Sequence, residues 1–282
     1  MDAENNTILI IGGPNAGKTH FGGQLYGRLN ARTERYRIIS PPDDFTIFQE
    51  VLDNLNDGKS SGHTHVTSNQ TLALEIEDNA GVKSVFSFPD YGGEQIKAIV
   101  NDRRVNKIWK EQIDKSSSWM LFIRLDEVKA IEDVVNRGLP DQDVLKNRTE
   151  KSEPMSLSDT AFYTELLQIL LFVKKVGIRQ RITDPKLTLV LSCWDLLSDE
   201  DQKKLPKDVL QDKLPGLFSF IHGTWTEDAC KIIGLSSTEK SLSNNDSDLE
   251  FVKKGPENFG YMITATGEKE TDLTFTISTF ID

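Results

Sequence analysis

The amino-acid sequence predicts an α/β fold in which a mainly parallel β-sheet lies between helices on both faces. Three observations predict this class. Short apolar runs at 7–11, 119–123 and 187–191 have the pattern of strands that are buried on both sides. Longer segments with helical spacing of apolar residues, such as 158–181, separate these runs. Strands that alternate with helices are typical of a parallel sheet.

The remaining elements follow in order along the chain. One antiparallel hairpin is predicted, because two strand-like runs, 72–77 and 82–88, flank a turn-forming segment. Helices are predicted from Lys18, over 45–55, from about 94 to 115 and from 272, with a further strand at 231–235. We expect a single domain over 1–282 with polar insertions at about 38–68, 126–157 and 237–270.

Composition excludes some classes of function. The formal charge is 33 − 44 = −11, which disfavours binding to bulk nucleic acid. The basic stretches at 28–37 and 97–110 are interpreted as solvated surface. No apolar run approaches the roughly 20 residues that span a bilayer. Cys193 and Cys230 are too few for a disulfide framework and, with no secretory signal at the N-terminus, predict a cytoplasmic protein.

A glycine-rich segment between the first strand and the first helix predicts a phosphate-binding loop. Its pattern is Gly-x4-Gly-Lys-Thr, in which backbone N–H groups and a helix N-terminus surround phosphate. Lys18 would neutralise the β- and γ-phosphates, and the Thr19 hydroxyl would bind Mg²⁺. The predicted nucleotide-binding residues of this segment are Gly12, Gly13, Pro14, Asn15, Ala16, Gly17, Lys18, Thr19 and His20.

A second motif follows the predicted hairpin. Asp90 and Gly93 form an Asp-x-x-Gly at the end of an apolar strand. In GTPases such an aspartate holds Mg²⁺ through water, and the glycine N–H contacts the γ-phosphate. An ordinary turn could have the same pattern, but its position after an antiparallel hairpin favours the GTPase interpretation.

The third motif is a candidate base reader. Asp195 follows the strand at 187–191 in Ser-Cys-Trp-Asp, where GTPases have Asn-Lys-x-Asp. A carboxylate there can accept two hydrogen bonds from the N1 and N2 donors of guanine, a pair that adenine lacks. Ser192 replaces the asparagine and Cys193 the stacking lysine. Trp194 either lines the nucleotide or fills the core.

Two weaker signals complete the candidate site. The segment 234–237 resembles the loop that contacts guanine through backbone groups in GTPases, which makes Leu235 and Ser236 candidate nucleotide contacts. Thr67, in a polar loop before the hairpin, is the predicted threonine that closes on Mg²⁺ and the γ-phosphate, with Thr64 as the rival. His63 and His65 in the same loop are interpreted as solvent-exposed rather than metal-binding.

Taken in order, these motifs resemble the TRAFAC class of GTPases, which implies a P-loop NTPase fold of the Ras-like G-domain type. More narrowly, the segments 90–94, 193–195, 232–236 and 267–274 resemble the bacterial double-GTPase family, which is encoded in conflict and GTPase-associated gene clusters. This resemblance implies a cytoplasmic, nucleotide-controlled subunit that binds GTP and GDP with Mg²⁺ and acts beside a second GTPase or an effector in a defence-type system.

The resemblance also assigns a position to the attacking water. Glu94 stands where Ras-like enzymes have the water-orienting glutamine, and Gln95 follows it. Because a carboxylate brings negative charge towards a triphosphate, we expect slow hydrolysis that needs an arginine from a partner. Arg103 and Arg104 could supply one in cis, although surface charge is the simpler interpretation. The alternatives are a scaffold that binds guanine nucleotide without turnover, and a P-loop small-molecule kinase.

Overall fold

The computed structural model describes residues 6–31, 35–40, 46–60, 72–88, 93–128, 157–177 and 179–281. The strands in these residues are β1 (Asn6–Gly12), β2 (Tyr36–Ser40), β3 (Leu72–Asp78), β4 (Lys83–Phe88), β5 (Ser118–Arg124), β6 (Lys186–Ser192), β7 (Cys230–Ser236), β8 (Tyr261–Ile263) and β9 (Lys269–Glu270). The helices are α1 (Lys18–Asn30), α2 (Thr46–Asn56), α3 (Glu94–Asp102), α4 (Lys107–Lys115), α5 (Asp159–Val173), α6 (Pro206–Lys213), α7 (Pro215–Thr224), α8 (Leu249–Lys254) and α9 (Phe275–Ile281).

The strands form one sheet in the order β2-β3-β4-β1-β5-β6-β7-β8-β9. The five central strands, β4 to β7 in this order, are parallel. β3 and β4 form the predicted antiparallel hairpin. The structure therefore confirms the predicted fold class, a mainly parallel sheet of the P-loop G-domain type. Three short antiparallel strands that the sequence did not indicate, β2, β8 and β9, extend the two edges.

Helices cover both faces of the sheet. Successive residues of β1 alternate between two hydrophobic clusters, since Leu9 and Ile11 pack with α3 to α7 whereas Ile8 and Ile10 pack with α1 and α9. All four side chains are at most 1% exposed. This two-sided burial is the reason why β1 reads as an unbroken apolar run, and it fixes the strand that leads into the phosphate loop.

Two predicted helices are shorter than expected. The predicted helix from 94 to 115 is divided into α3 and α4, because Arg103 takes a left-handed conformation with φ of 50°. Asn106 then caps α4 by accepting a hydrogen bond from Trp109 N at 2.9 Å. The predicted helix over 158–181 ends at Val173, and Lys175 is left-handed with φ of 62°.

Helix α2 packs directly on α1, the helix that follows the phosphate loop. The close approach depends on glycines in α1. A Cβ atom on Gly23 would lie 2.5 Å from Val51 Cγ1, and one on Gly22 would lie 2.6 Å from Phe48 Cε1. Any side chain at these positions would clash with α2.

Two of the predicted insertions meet beside α2. Ser60 N donates to Ser243 O at 3.0 Å, and Asp248 N donates to Gly58 O at 2.9 Å. The chain immediately before the predicted switch loop is therefore attached to the segment that follows β7. Of the predicted insertion at 126–157, residues 129–156 lie outside the described residues, so its boundary stays a prediction. In the described ranges, no helix is both long and apolar enough to cross a membrane.

Candidate nucleotide-binding site

The predicted phosphate loop connects β1 to α1. Asn15 and Gly17 have φ of 60° and 82°, which turns the loop back onto the N-terminus of α1. Lys18 lies inside this turn, where its Nζ donates to Gly12 O at 2.5 Å and Gly13 O at 3.0 Å. The Lys18 residue is only 3% exposed. A helix N-terminus, a curved backbone and a held ammonium group together form an anion-binding site.

Thr19 and His20 occupy the first turn of α1. His20 is not a cation, because burial lowers the pKa of its imidazole to about 4. The Nε2 atom of His20 lies 3.2 Å from Ser60 Oγ, at the end of the segment after α2. The ring therefore joins the phosphate loop to the chain that leads towards the predicted switch threonine.

Gly93 lies against the phosphate loop. Its φ is 82°, and a Cβ atom there would lie 2.4 Å from Gly13 C and 2.6 Å from Pro14 N. Only glycine allows this contact, because it has no side chain and adopts positive φ readily. The N-terminus of α3 thus meets the loop, and the contact of Gly93 N–H with a γ-phosphate stays a prediction. Asp90, its predicted Mg²⁺-binding companion, lies outside the described residues, as does Thr67.

Glu94 and Gln95 differ in their surroundings. The Gln95 Oε1 atom accepts hydrogen bonds from Trp109 Nε1 at 3.0 Å and Asn106 Nδ2 at 3.4 Å. The Gln95 side chain therefore links α3 to the start of α4 through these hydrogen bonds. Glu94 is exposed on the first turn of α3, next to Gly93. Of the two side chains, Gln95 is therefore engaged by α4, whereas Glu94 is exposed to solvent.

The base-reading motif begins in contact with the phosphate loop. A Cβ atom on Gly17 would lie 3.6 Å from Ser192 Cβ, and Ser192 Oγ donates to Ile123 O at 3.3 Å. Asp195 follows on a short helical turn, where Gln202 Nε2 donates to its carbonyl oxygen at 3.2 Å. The phosphate loop and the predicted base-reading segment therefore lie at the same end of the sheet, where the parallel strands terminate. The half-buried Asp195 follows Ser192, the residue in contact with the loop, by three positions.

Cys193 supplies no positive charge at this end of the sheet. Burial raises the pKa of its thiol to about 11, and the guanidinium of Arg124 opposes this shift. The residue has φ of 54°, which places it in the left-handed region between β6 and the helical turn. A neutral, short side chain therefore stands at the position predicted for a stacking lysine.

Trp194 fills the core. The side chain is 1% exposed and packs on β7, where a Cβ atom on Gly234 would lie 2.6 Å from Trp194 Cδ2. The interpretation that Trp194 fills the core is therefore correct for its indole ring. The interpretation that the ring lines the nucleotide is wrong, since the ring has no exposed surface for a nucleotide to contact. Its Nε1 atom has no hydrogen-bond partner among the described residues.

Leu235 and Ser236 belong to β7 rather than to a loop. They pair with Met262 and Tyr261 of β8 and are 1% and 0% exposed. Ser236 Oγ accepts a hydrogen bond from Glu239 N at 2.9 Å. The predicted loop at 234–237 is thus mostly strand, because the unpredicted β8 extends the pairing of β7 to its end.

Arg103 is engaged at the far end of α3. Its Nε atom lies 2.6 Å from Glu165 Oε1 of α5. A helix of nine residues is about 13 Å long, so this ion pair is distant from Gly93. Arg103 and the exposed Arg104 are therefore surface charges, which was the simpler of the two interpretations.

Sequence reasoning missed three residues around the base reader. Arg124 ends β5, between β1 and β6, and its place at a strand end beside both motifs was a usable signal. Gln202 and Tyr261 had no such signal. Burial raises the pKa of the Tyr261 hydroxyl to about 12, with the carboxylates of Asp195 and Glu239 adding to the shift. Tyr261 therefore lies near the base reader.

Residues 9–280 match the family model described as Double-GTPase 1. No curated protein matches the chain. The chain is similar to the Ski7 GTPase-like domain of S. cerevisiae bound to GTP, at 16% identity and a TM-score of 0.44 over 87% of this chain and 46% of that one. It thus spans about half of the length of that structure.

Two other solved structures are more distant. The translation elongation factor SelB from Methanococcus maripaludis, in complex with the GTP analogue GPPNHP, is 12% identical, with a TM-score of 0.34 over 84% of this chain and 30% of that one. The SRb-GTP/SRX complex of the signal recognition particle receptor from Chaetomium thermophilum is 12% identical, with a TM-score of 0.34 over 84% and 92%. The match over residues 9–280 places the chain in its family: it belongs to the Double-GTPase 1 family.

Proposed function

We propose that the chain is a GTP-binding and slowly hydrolysing molecular switch, and that it acts in the cytoplasm as one subunit of a bacterial conflict or defence system. Its partner would be a second GTPase or an effector. Membership of the Double-GTPase 1 family supports the nucleotide and the class of reaction. The two free thiols, Cys193 and Cys230, are compatible with a reducing compartment.

One observation carries the proposal. Gly93 contacts the phosphate loop on one side, where a Cβ atom on Gly93 would lie 2.4 Å from Gly13 C. Ser192 contacts it on the other side, where a Cβ atom on Gly17 would lie 3.6 Å from Ser192 Cβ. The predicted γ-phosphate contact and the predicted base reader would therefore flank one cradle. This arrangement fits a single guanine nucleotide whose triphosphate lies in the loop and whose purine reaches towards Asp195.

The residues present fit a magnesium-bound triphosphate. The helix N-terminus and Lys18 supply positive charge, and the Thr19 hydroxyl at that terminus is a hard oxygen ligand of the kind that Mg²⁺ prefers. Thr67 and Asp90 would complete the ligand set. When bound, Mg²⁺ would offset the charge that develops on the phosphate oxygens.

Hydrolysis would depend on a water held near Gly93 and Glu94. The exposed Glu94 carboxylate can accept a hydrogen bond from that water, whereas the Gln95 amide oxygen is bonded to Trp109 Nε1 at 3.0 Å. A second negative charge beside the γ-phosphate opposes the reaction. We therefore propose slow intrinsic turnover, which an arginine supplied by the partner would raise by a factor on the order of 10³ or more.

A nucleotide panel tests the proposal. Fluorescent GTP, GDP and ATP are titrated onto the wild type, Lys18→Ala and Asp195→Asn with Mg²⁺ present. We expect GTP and GDP to bind at least about 100-fold more tightly than ATP, since two hydrogen bonds to a carboxylate contribute roughly 3–6 kcal/mol. Lys18→Ala should weaken GTP binding strongly. Asp195→Asn should shift the preference to xanthosine nucleotides, and equal binding of ATP and GTP by the wild type would refute the assignment.

The second candidate function is a scaffold that binds guanine nucleotide without turnover. The charge of Glu94 and the engagement of Gln95 with Trp109 favour it, because neither side chain is the glutamine of an efficient water-orienting site. Single-turnover phosphate release, measured with and without the products of neighbouring genes, separates the two functions. Release that a partner stimulates supports the switch, whereas no release under any condition supports the scaffold.

A further inference from the structure

Arg124 lies between the phosphate loop and the base reader. It is the last residue of β5 and pairs in register with Ser192, the residue before Cys193. On the other side of β5, Phe122 pairs with Gly12 at the start of the phosphate loop. Arg124 therefore lies at the carboxyl end of the parallel strands, where both halves of the candidate site meet.

Two carboxylates hold the Arg124 guanidinium. Nε lies 3.0 Å from Asp126 Oδ1, and Nη2 lies 2.9 Å from Asp126 Oδ2. Nη2 also lies 3.1 Å from Glu127 Oε1. Because two parallel N–H···O contacts fix a plane, the guanidinium is oriented by the protein rather than by a ligand. The side chain is 25% exposed, so one part of this plane stays accessible.

Arg124 is a cation with several carboxylates around it. The charged groups that most affect the pKa of the Cys193 thiol are Arg124, Asp126, Asp195 and Glu127, and three of these are carboxylates. If these carboxylates were the only charges present, they would repel a polyphosphate nucleotide that approaches Asp195. The Arg124 charge offsets this repulsion at the base-reading end of the site.

We propose that Arg124 is a base-binding residue of the nucleotide site, whose guanidinium covers the face of the guanine base beside the short Cys193 side chain. This inference rests on the proposed function. A guanidinium plane stacks well on a planar heteroaromatic ring, and its positive charge adds a cation–π attraction. Asp195 would then read the edge of the base while Arg124 holds its face.

The first test compares Arg124→Ala with the wild type in competition binding of unlabelled guanosine, GDP and GTP against fluorescent GDP. We expect both nucleotides, and guanosine, to bind about tenfold more weakly by the same factor, because the base is common to all three. Arg37→Ala is the matched control, since Arg37 is also an ion-paired strand arginine but lies with Glu77 at the sheet edge formed by β2 and β3. It should leave all three affinities unchanged.

The second test restores a cation at the neighbouring position. Arg124→Ala combined with Cys193→Lys should recover most of the lost affinity for both nucleotides. If Arg124→Ala is unstable, Arg124→Lys, which keeps the charge but loses the plane, should retain the melting temperature and still bind GDP and GTP several-fold more weakly.

The outcomes separate this inference from the proposed function. Wild-type protein that does not prefer guanine nucleotides refutes the function itself. Wild-type protein that prefers them while Arg124→Ala binds equally well refutes only the inference. A loss for GTP alone, or for GDP and GTP but not for guanosine, would instead assign Arg124 to the phosphates, and a loss that Cys193→Lys fails to rescue, accompanied by a lower melting temperature, would assign it a structural role. Either result overturns the inference.

Discussion

Replacing Gly93 by alanine would force α3 away from the phosphate loop. The new Cβ would lie 2.4 Å from Gly13 C, whereas ordinary contact begins at 3.4 Å, so the two backbones must separate by about 3.4 − 2.4 = 1.0 Å. The left-handed φ of 82° adds about 1–2 kcal/mol of backbone strain. Overpacking adds about 1–3 kcal/mol. The expected loss of stability is therefore about 2–5 kcal/mol.

The same substitution should affect hydrolysis more than stability alone requires. A displacement of about 1 Å at a catalytic position can lower the rate by about 100-fold. We expect single-turnover GTP hydrolysis by Gly93→Ala to fall by about this factor. Urea unfolding at pH 7.5 gives the stability, and phosphate release under saturating protein gives the rate.

Gly81 provides a matched control for the strain. It has the same φ of 82° but nothing within 4 Å of a built Cβ, in the turn between β3 and β4. Gly81→Ala should therefore lose about 1–2 kcal/mol and keep its hydrolysis rate. If Gly93→Ala were no less stable and no slower than Gly81→Ala, the contact with Gly13 would not constrain the site, and the reasoning would be refuted.

Four further predictions follow from individual contacts. Because burial lowers the pKa of His20 to about 4 from 6.5, the folded protein should lose stability as the pH falls from about 6.5 towards 4, and the urea midpoint should fall less for His20→Gln than for the wild type between pH 7.5 and 5. Gly23→Ala should lose up to about 2 kcal/mol in urea unfolding, because its clash with α2 costs about 1–3 kcal/mol and alanine returns up to about 1 kcal/mol of helix propensity, whereas Gly223→Ala, in open space on α7, should gain up to about 1 kcal/mol. Glu94→Gln should speed single-turnover hydrolysis by about tenfold if the carboxylate charge retards it; an equal or lower rate contradicts that role. Arg103→Ala should leave the hydrolysis rate within about twofold and the stability within about 1 kcal/mol, because its ion pair with Glu165 is a surface pair.

The centre of the fold was predictable because local and long-range signals agree there. The run that forms β1 is apolar on both faces, and the glycines and Lys18 that follow require a tight turn before a helix. The hairpin of β3 and β4 was indicated by its turn residues. By contrast, β8 and β9 contain only three and two residues, so no periodicity can develop in them.

The candidate site was predictable where the chemistry depends on backbone form. Gly93 and the phosphate loop lie together because their glycines permit contacts and φ values that other residues resist. Which residues of the predicted base-reading segment are buried in the core was harder to predict. Trp194 lies in the core because Gly234 on a neighbouring strand makes room for it, and a contact across about 40 positions leaves no local signal. Thr67 and Asp90 stay predictions, since they lie outside the described residues.

The attachment of Ser60 to Ser243 has a consequence for how the protein is made. The two residues are 243 − 60 = 183 positions apart and joined by a 3.0 Å backbone hydrogen bond. At about 5–20 residues per second, a ribosome needs roughly 10–40 s to add the second after the first. During that interval residues 58–60 lack the partners that hold them in the folded protein, so this part of the nascent chain is open to chaperones and proteases.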